Sequence, residues 1–252
     1  MRPDPSFDRT VDGMARRRAA SDLARPEALP LTLAPLHCPA ESALSRRTRW
    51  EMAAVLATGA LHPLFFHVLH LEGVFIALVL GCWLSYLAAR VRAHPPILAQ
   101  WGFSTAHLER SFAATAVVAA CVIGVLAWLA SRSGSLPVHW HMLPLLLLYP
   151  LWGLFQQLMV QGILVRPLAL GVAPVLSRGT AVGVAAVLFG AVHLPDTPLA
   201  AATAVMGLVF TPLYLRWGNL WPLGLFHGWL GVAFYFWYLG RDPWSEVFRG
   251  WA

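Results

Sequence analysis

The chain has 252 residues, of which 58% are hydrophobic and only 12% charged, and its mean hydropathy is +0.62. Soluble domains carry about 25% charged residues. This composition therefore excludes an ordinary water-soluble fold. With several apolar runs of about 20 residues, it indicates an all-α, polytopic membrane helix bundle of about seven transmembrane helices. The formal charge of +6 rests on arginine alone, with no lysine in the chain. The arginines cluster between apolar runs, where they set topology and meet anionic head groups. No motif or aromatic-basic stripe supports a nucleic-acid partner.

Residues 1–49 are rich in Arg, Pro, Ala and Asp, and include Arg16-Arg17-Arg18, Arg46-Arg47 and Arg49. No apolar run of signal-peptide type precedes Trp50, so this segment is expected to be a disordered cytoplasmic tail. The membrane domain is expected over 50–240. Its first span, 50–70, contains His62, His67 and His70. His67 and His70 share a helix face, but the three are read as packing or interfacial groups rather than metal ligands. Span two, 73–90, ends in Arg90 and Arg92. The mixed segment 93–109 is expected to lie along the cytoplasmic interface, before span three at 111–130.

Span four covers 142–165, with Pro144 and Pro150 expected to bend its first half. Span five, 180–194, ends in Phe189-Gly190-Ala191-Val192-His193. The linker Pro195–Pro198 leads to span six at 199–216, and the turn Arg216-Trp217-Gly218-Asn219 to span seven at 220–239. A short tail, 241–252, offers Trp244 and Trp251 as interface anchors. Cys38, Cys82 and Cys121 are too widely spaced for a metal or redox motif and read as small buried apolar residues. With the N-terminus inside, fifteen arginines fall on inner segments and three on outer ones. The expected placement is therefore a bacterial inner (plasma) membrane with a cytoplasmic N-terminus.

Chemistry concentrates in span four, at Gln156, Gln157 and Gln161. Each buried amide needs hydrogen-bond partners where no water is available. Gln157 and Gln161 are four residues apart and share a face, whereas Gln156 is rotated by about 100°. Phe189 and His193 are likewise four apart on span five. His227 lies two turns into span seven, and Gly231 leaves room on the same face. Polar residues on three apolar helices are expected to face one another in a single pocket. This requires span five to be short, tilted or to begin deep, with its linker Pro195–Pro198 buried in the bundle; the alternative is an interfacial His193.

The block from Gly207 to His227, with Tyr214-Leu215-Arg216-Trp217-Gly218 and Leu220-Trp221-Pro222, resembles the last conserved block of the CPBP family. These are intramembrane proteases that include the type II CAAX prenyl endopeptidases and bacteriocin-processing relatives. Phe189-x-x-x-His193 matches the family's Phe-x-x-x-His motif. Gln156-Gln157-x-x-x-Gln161-Gly162 stands where the family has Glu-Glu-x-x-x-Arg-Gly, and Gly231 where it has Asn or Asp. The resemblance spans about 145–235. It implies a catalytic set at Gln156, Gln157, His193 and His227, with Gln161, Phe189 and Gly231 as binding positions.

In the family a glutamate activates water while histidines orient it or stabilise the oxyanion. A neutral amide cannot be that base, though it can orient a water or donate to an oxyanion. Loss of both glutamates and the arginine together leaves no unpaired buried ion. Of the remaining acids Asp196 is nearest to a histidine, but Pro195 argues against a shared face and it reads as a linker residue. A histidine can serve as base, while two histidines make a thin metal site, so no metal ligand is assigned and the cofactor is unknown. The expected function is that of a CPBP-type endopeptidase homologue, with altered or lost activity, toward a membrane-anchored peptide or protein in the lipid bilayer. The alternative is a non-catalytic binding or scaffold protein that uses the same pocket.

Overall fold

A computed structural model describes residues 44–133, 138–171 and 174–248, and every regular element among them is helical. The arginine-rich segment 1–43, with Cys38, and the chain end with Trp251 lie outside the described residues. Helix α1 (Arg46–Pro63) is N-capped by Ser45, whose hydroxyl accepts from the Thr48 N–H at 3.1 Å. It therefore starts before Trp50 and takes Arg46, Arg47 and Arg49 into its first turn. A π-helical turn, Leu64–Val68, extends it.

Next come α2 (Glu72–Ala93), the short α3 (Ile97–Trp101) within the expected interfacial segment, and α4 (Leu108–Arg132). Helix α5 (Met142–Gln157) passes through Pro150 and continues as a π-helical stretch, Leu158–Val165, into α6 (Arg166–Leu170). Helices α7 (Arg178–Ala191), α8 (Thr197–Trp217) and α9 (Trp221–Phe234) follow. Helix α9 is extended by a third π-helical turn, Tyr235–Leu239, and α10 (Pro243–Phe248) comes last among the described residues.

Among the described residues, five helical stretches are long and apolar enough to cross a bilayer: Arg46–Val68, Glu72–Ala93, Leu108–Arg132, Met142–Leu170 and Thr197–Trp217. Their outward faces are apolar, with Val117, Trp128 and Leu147 among the exposed side chains. That is the surface a hydrocarbon solvent permits and water does not. The chain is thus an all-α polytopic membrane bundle. Cys82 and Cys121 belong to this outer surface and are not buried as the sequence suggested. Both lie on long helices that turn only a minority of their residues inward.

Helix α7 takes the short form among the alternatives for span five, at 14 residues, or about 21 Å. Its linker departs from expectation: Pro195, Thr197 and Pro198 are exposed and Asp196 is half-buried. The polar groups of Asp196 hold the linker at the surface. One carboxylate oxygen caps α8 by accepting from the Leu199 N–H at 3.2 Å, and the other pairs with Arg241.

The inner seam is made by glycine. Helices α5 and α9 touch backbone to backbone. A Cβ on Gly153 would lie 2.6 Å from the Gly224 carbonyl oxygen, and one on Gly224 would lie 2.5 Å from Leu154 Cα. Gly228, four residues after Gly224, rests against the backbone of Tyr149 and Pro150. Small residues spaced in this way let membrane helices approach closely and gain dispersion along the whole contact. Helix α7 meets α8 similarly, where a Cβ on Gly207 would lie 2.7 Å from Ala186 Cα.

The turn between α8 and α9 is the second fixed point. Gly218 takes the left-handed conformation, φ 61°, and closes α8 through its N–H to the Tyr214 carbonyl at 2.7 Å. The Tyr214 hydroxyl donates to the Trp101 carbonyl at 2.8 Å, and the Leu220 N–H donates to the Gly102 carbonyl at 2.9 Å. The Asn219 amide donates to the carbonyls of Ser104 at 2.8 Å and Ala106 at 3.1 Å. Four carbonyls at and after the end of α3, those of Trp101, Gly102, Ser104 and Ala106, thereby find donors inside the protein.

Candidate functional site

The glycine seam decides which polar groups meet. Gln157, one turn beyond Gly153, is fully buried and opposes His227 on α9. Its amide nitrogen lies 3.3 Å from His227 Nδ1. With the amide turned this way its nitrogen donates to Nδ1, which puts the proton of a neutral His227 on Nε2; turned over, its unpartnered oxygen would accept from Nδ1 instead. The Phe189 ring packs edge-on against both histidines, with centroids 5.4 Å from His227 and 5.6 Å from His193. His193 Nδ1 lies 2.8 Å from the Phe189 carbonyl oxygen. A carbonyl only accepts, so Nδ1 carries the proton there and the neutral ring has its lone pair on Nε2. Thr203 reaches the same carbonyl from α8 at 3.1 Å.

The other sequence-derived positions divide. Gln161 is fully buried inside the π-helical stretch, and its amide donates to the Thr211 hydroxyl of α8 at 3.0 Å rather than to either histidine. Gln156 is half-buried on another face and makes no hydrogen bond to a described residue. The room expected beside Gly231 is taken by the Tyr149 ring, which a Cβ there would meet at 3.0 Å. Tyr149 lies two turns before Gln157 on the same helix. Asp196 is committed to its helix cap and to Arg241, so it does not supply the missing carboxylate. The carbonyl oxygens of Gln157 and Gln161 are both buried without a partner among the described residues. They are acceptors facing inward in an apolar bundle.

One histidine reaches the site from a helix on which the sequence gave it no role there. His62, near the end of α1, has its ring 6.5 Å from that of His193, and its Nδ1 is buried with no partner among the described residues. Gly59 makes the approach possible, since a Cβ there would lie 2.9 Å from a Val192 methyl. Gly59 and His62 are three apart on one helix face. That spacing is the only sequence signal, and it says nothing about which helix the face meets. His67 and His70 are exposed.

No curated protein and no solved structure matches the chain. A family model does match, over residues 137–233, and its description is type II CAAX prenyl endopeptidase Rce1-like. The matched residues hold Gln157, Gln161, Phe189, His193, Thr211 and His227, and end just past the Gly224–Gly228 seam. Through residues 137–233, therefore, this membrane protein is similar to the type II CAAX prenyl endopeptidase Rce1-like family.

Proposed function

We propose that the protein is an intramembrane endopeptidase that cleaves a membrane-anchored peptide, with a histidine in place of the family's carboxylate base. The observation that carries this reading is the packing of both histidines against the Phe189 ring, with Nδ1 of each held by a hydrogen bond. His193 holds its proton toward Phe189 and keeps a lone pair on Nε2, while Gln157, donating to Nδ1, leaves His227 with an N–H on Nε2. One ring is then a base and the other a donor. Nε2 of His193 takes a proton from water as its oxygen bonds to the scissile carbonyl carbon. The N–H of His227 stabilises the resulting oxyanion. Collapse breaks the C–N bond, and the proton held by His193 leaves with the amine. The inward carbonyl oxygens of Gln157 and Gln161 supply acceptors for a water or a substrate N–H. The membrane is placed as a bacterial inner (plasma) membrane in this reading, and the arginine distribution supports a cytoplasmic N-terminus.

A second reading is binding of a membrane peptide without cleavage. It is favoured by Tyr149 filling the space beside Gly231, and by the engagement of Asp196 elsewhere. The two readings separate in one assay. Purified protein in lipid nanodiscs is incubated with lipid-anchored peptides, and products are read by mass spectrometry for wild type, His193→Ala and His227→Ala. Cleavage lost in both variants supports the peptidase. Peptide capture without cleavage in wild type establishes the binding protein, and cleavage unchanged in both variants removes the histidines from the mechanism.

A further inference from the structure

The fold also brings together three metal-type donors that the sequence separates by about a hundred residues. His139 and His141 precede α5, and Asp242 precedes α10. One donor atom from each lies within 4.8 Å of the other two. Nδ1 of His141 is 2.6 Å from Oδ2 of Asp242, and the His139 and His141 rings are 4.4 Å apart.

The donors are held in place. The Asp242 carboxylate accepts from the Trp244 N–H at 3.0 Å and from the Ser245 hydroxyl at 2.6 Å. His141 is stacked on Trp244 at 5.8 Å and lies 4.0 Å from Trp140, while His139 is stacked on Phe236 at 6.2 Å. Aromatic walls fix the ring planes, and hydrogen bonds to its oxygens orient the carboxylate, as the outer shell of a metal site does. An ion pair joins His141 and Asp242, and His139 Nδ1 accepts from the His141 backbone N–H at 3.3 Å, which ties the third donor to the same turn.

We propose that His139, His141 and Asp242 bind a divalent transition-metal ion of the zinc type, separate from the histidine pair of the peptidase-like site. Two imidazoles and one carboxylate are a common three-ligand set for Zn²⁺ with water in the fourth position. Zinc bonds of about 2.0–2.2 Å place tetrahedral donors about 3.3–3.6 Å apart. Reaching that spacing takes rotation of the exposed His139 inward and an opening of the 2.6 Å His141–Asp242 pair by under about 1 Å. The ion displaces the proton shared between His141 and Asp242, and ties α10 to the start of α5.

The test uses the full chain in detergent with any affinity tag removed, titrated with Zn²⁺ alone by calorimetry. The expected result is one ion per chain with a micromolar or tighter Kd, weakened at least about tenfold by His139→Ala and by Asp242→Asn. Co²⁺ bound to the same chain is expected to show the visible bands of a four-coordinate ion. His139→Ala alters an exposed side chain, and its melting curve without metal controls for folding. Absence of zinc uptake overturns the proposal. So does uptake that survives these substitutions unchanged but is lost in His193→Ala or His227→Ala.

Discussion

Replacing Gly228 by alanine is the sharpest test of the seam that sets the site. The added Cβ would fall within 2.6 Å of Pro150 Cα and of the Tyr149 carbonyl carbon, and closer still to the Pro150 nitrogen. These are backbone atoms and cannot rotate away. Carbon contacts relax at about 3.5–4.0 Å, so α5 and α9 must part locally by about 1 Å. A gap of that size forfeits about a quarter to a half of the dispersion energy of each affected contact. Overpacking of this kind costs about 1–3 kcal/mol, and immovable backbone places this case toward the upper end.

Alanine gains up to about 1 kcal/mol over glycine in helix propensity, which leaves a net loss of about 2 kcal/mol. The same movement stretches the 3.3 Å contact between Gln157 and His227 beyond hydrogen-bonding reach. Thermal unfolding in detergent, followed by tryptophan fluorescence, reads the stability loss. Gly81→Ala and Gly124→Ala are the controls, because a Cβ at either meets nothing within 4 Å. Gly228→Ala is expected to melt at least about 5 °C below both. If its midpoint coincides with theirs, the backbone contact does not hold the two helices together.

Gln157→Glu puts an acceptor where the amide donated, draws the proton of a neutral His227 to Nδ1 and strips Nε2 of the N–H assigned to the oxyanion, so cleavage is expected to fall; the nanodisc assay reads it, and an unchanged rate removes residue 157 from control of the chemistry. Tyr214→Phe leaves the buried Trp101 carbonyl without its donor and is expected to lower stability by about 1–3 kcal/mol in denaturant titrations. Arg241→Ala removes pairs to Asp196 and Glu246 from a side chain that is 41% exposed. Its stability loss is expected to stay under about 1 kcal/mol and to vanish in high salt, as melting curves at two salt concentrations will show.

Hydropathy made the helices legible because a bilayer leaves the chain few alternatives: long apolar runs must be helical and the arginines must sit between them. Span limits agreed with α2, α4, α8 and α9 to within a few residues. The positions of Gln157, Phe189, His193 and His227 were legible as isolated polar or motif residues in apolar helices. That they face one another in one pocket was expected from their apolar surroundings, but which side chain meets which was not legible. The pairing depends on where Gly153, Gly224 and Gly228 allow backbones to touch, and a glycine in a sequence does not announce its neighbour. Gly231 was misread for the same reason, since the space it leaves is used by Tyr149 from another helix. His62 reaches His193 through Gly59, and Asp242 reaches His141 across 101 positions. Contacts of that kind are decided by tertiary packing and leave no local period in the chain.

The π-helical stretch from Leu158 to Val165 separates two residues that a regular helix would treat as one unit. An unbroken α-helix turns the side chains at 157 and 161 toward the same neighbour. Here the altered winding begins between them, and each amide is answered by a different helix, His227 on α9 and Thr211 on α8. The bundle therefore contains two independent polar locks on one rod. A change at position 161 can alter the grip on α8 while the partner of Gln157 stays in register. The spacing of four residues in the sequence suggests a single device, and the winding makes it two.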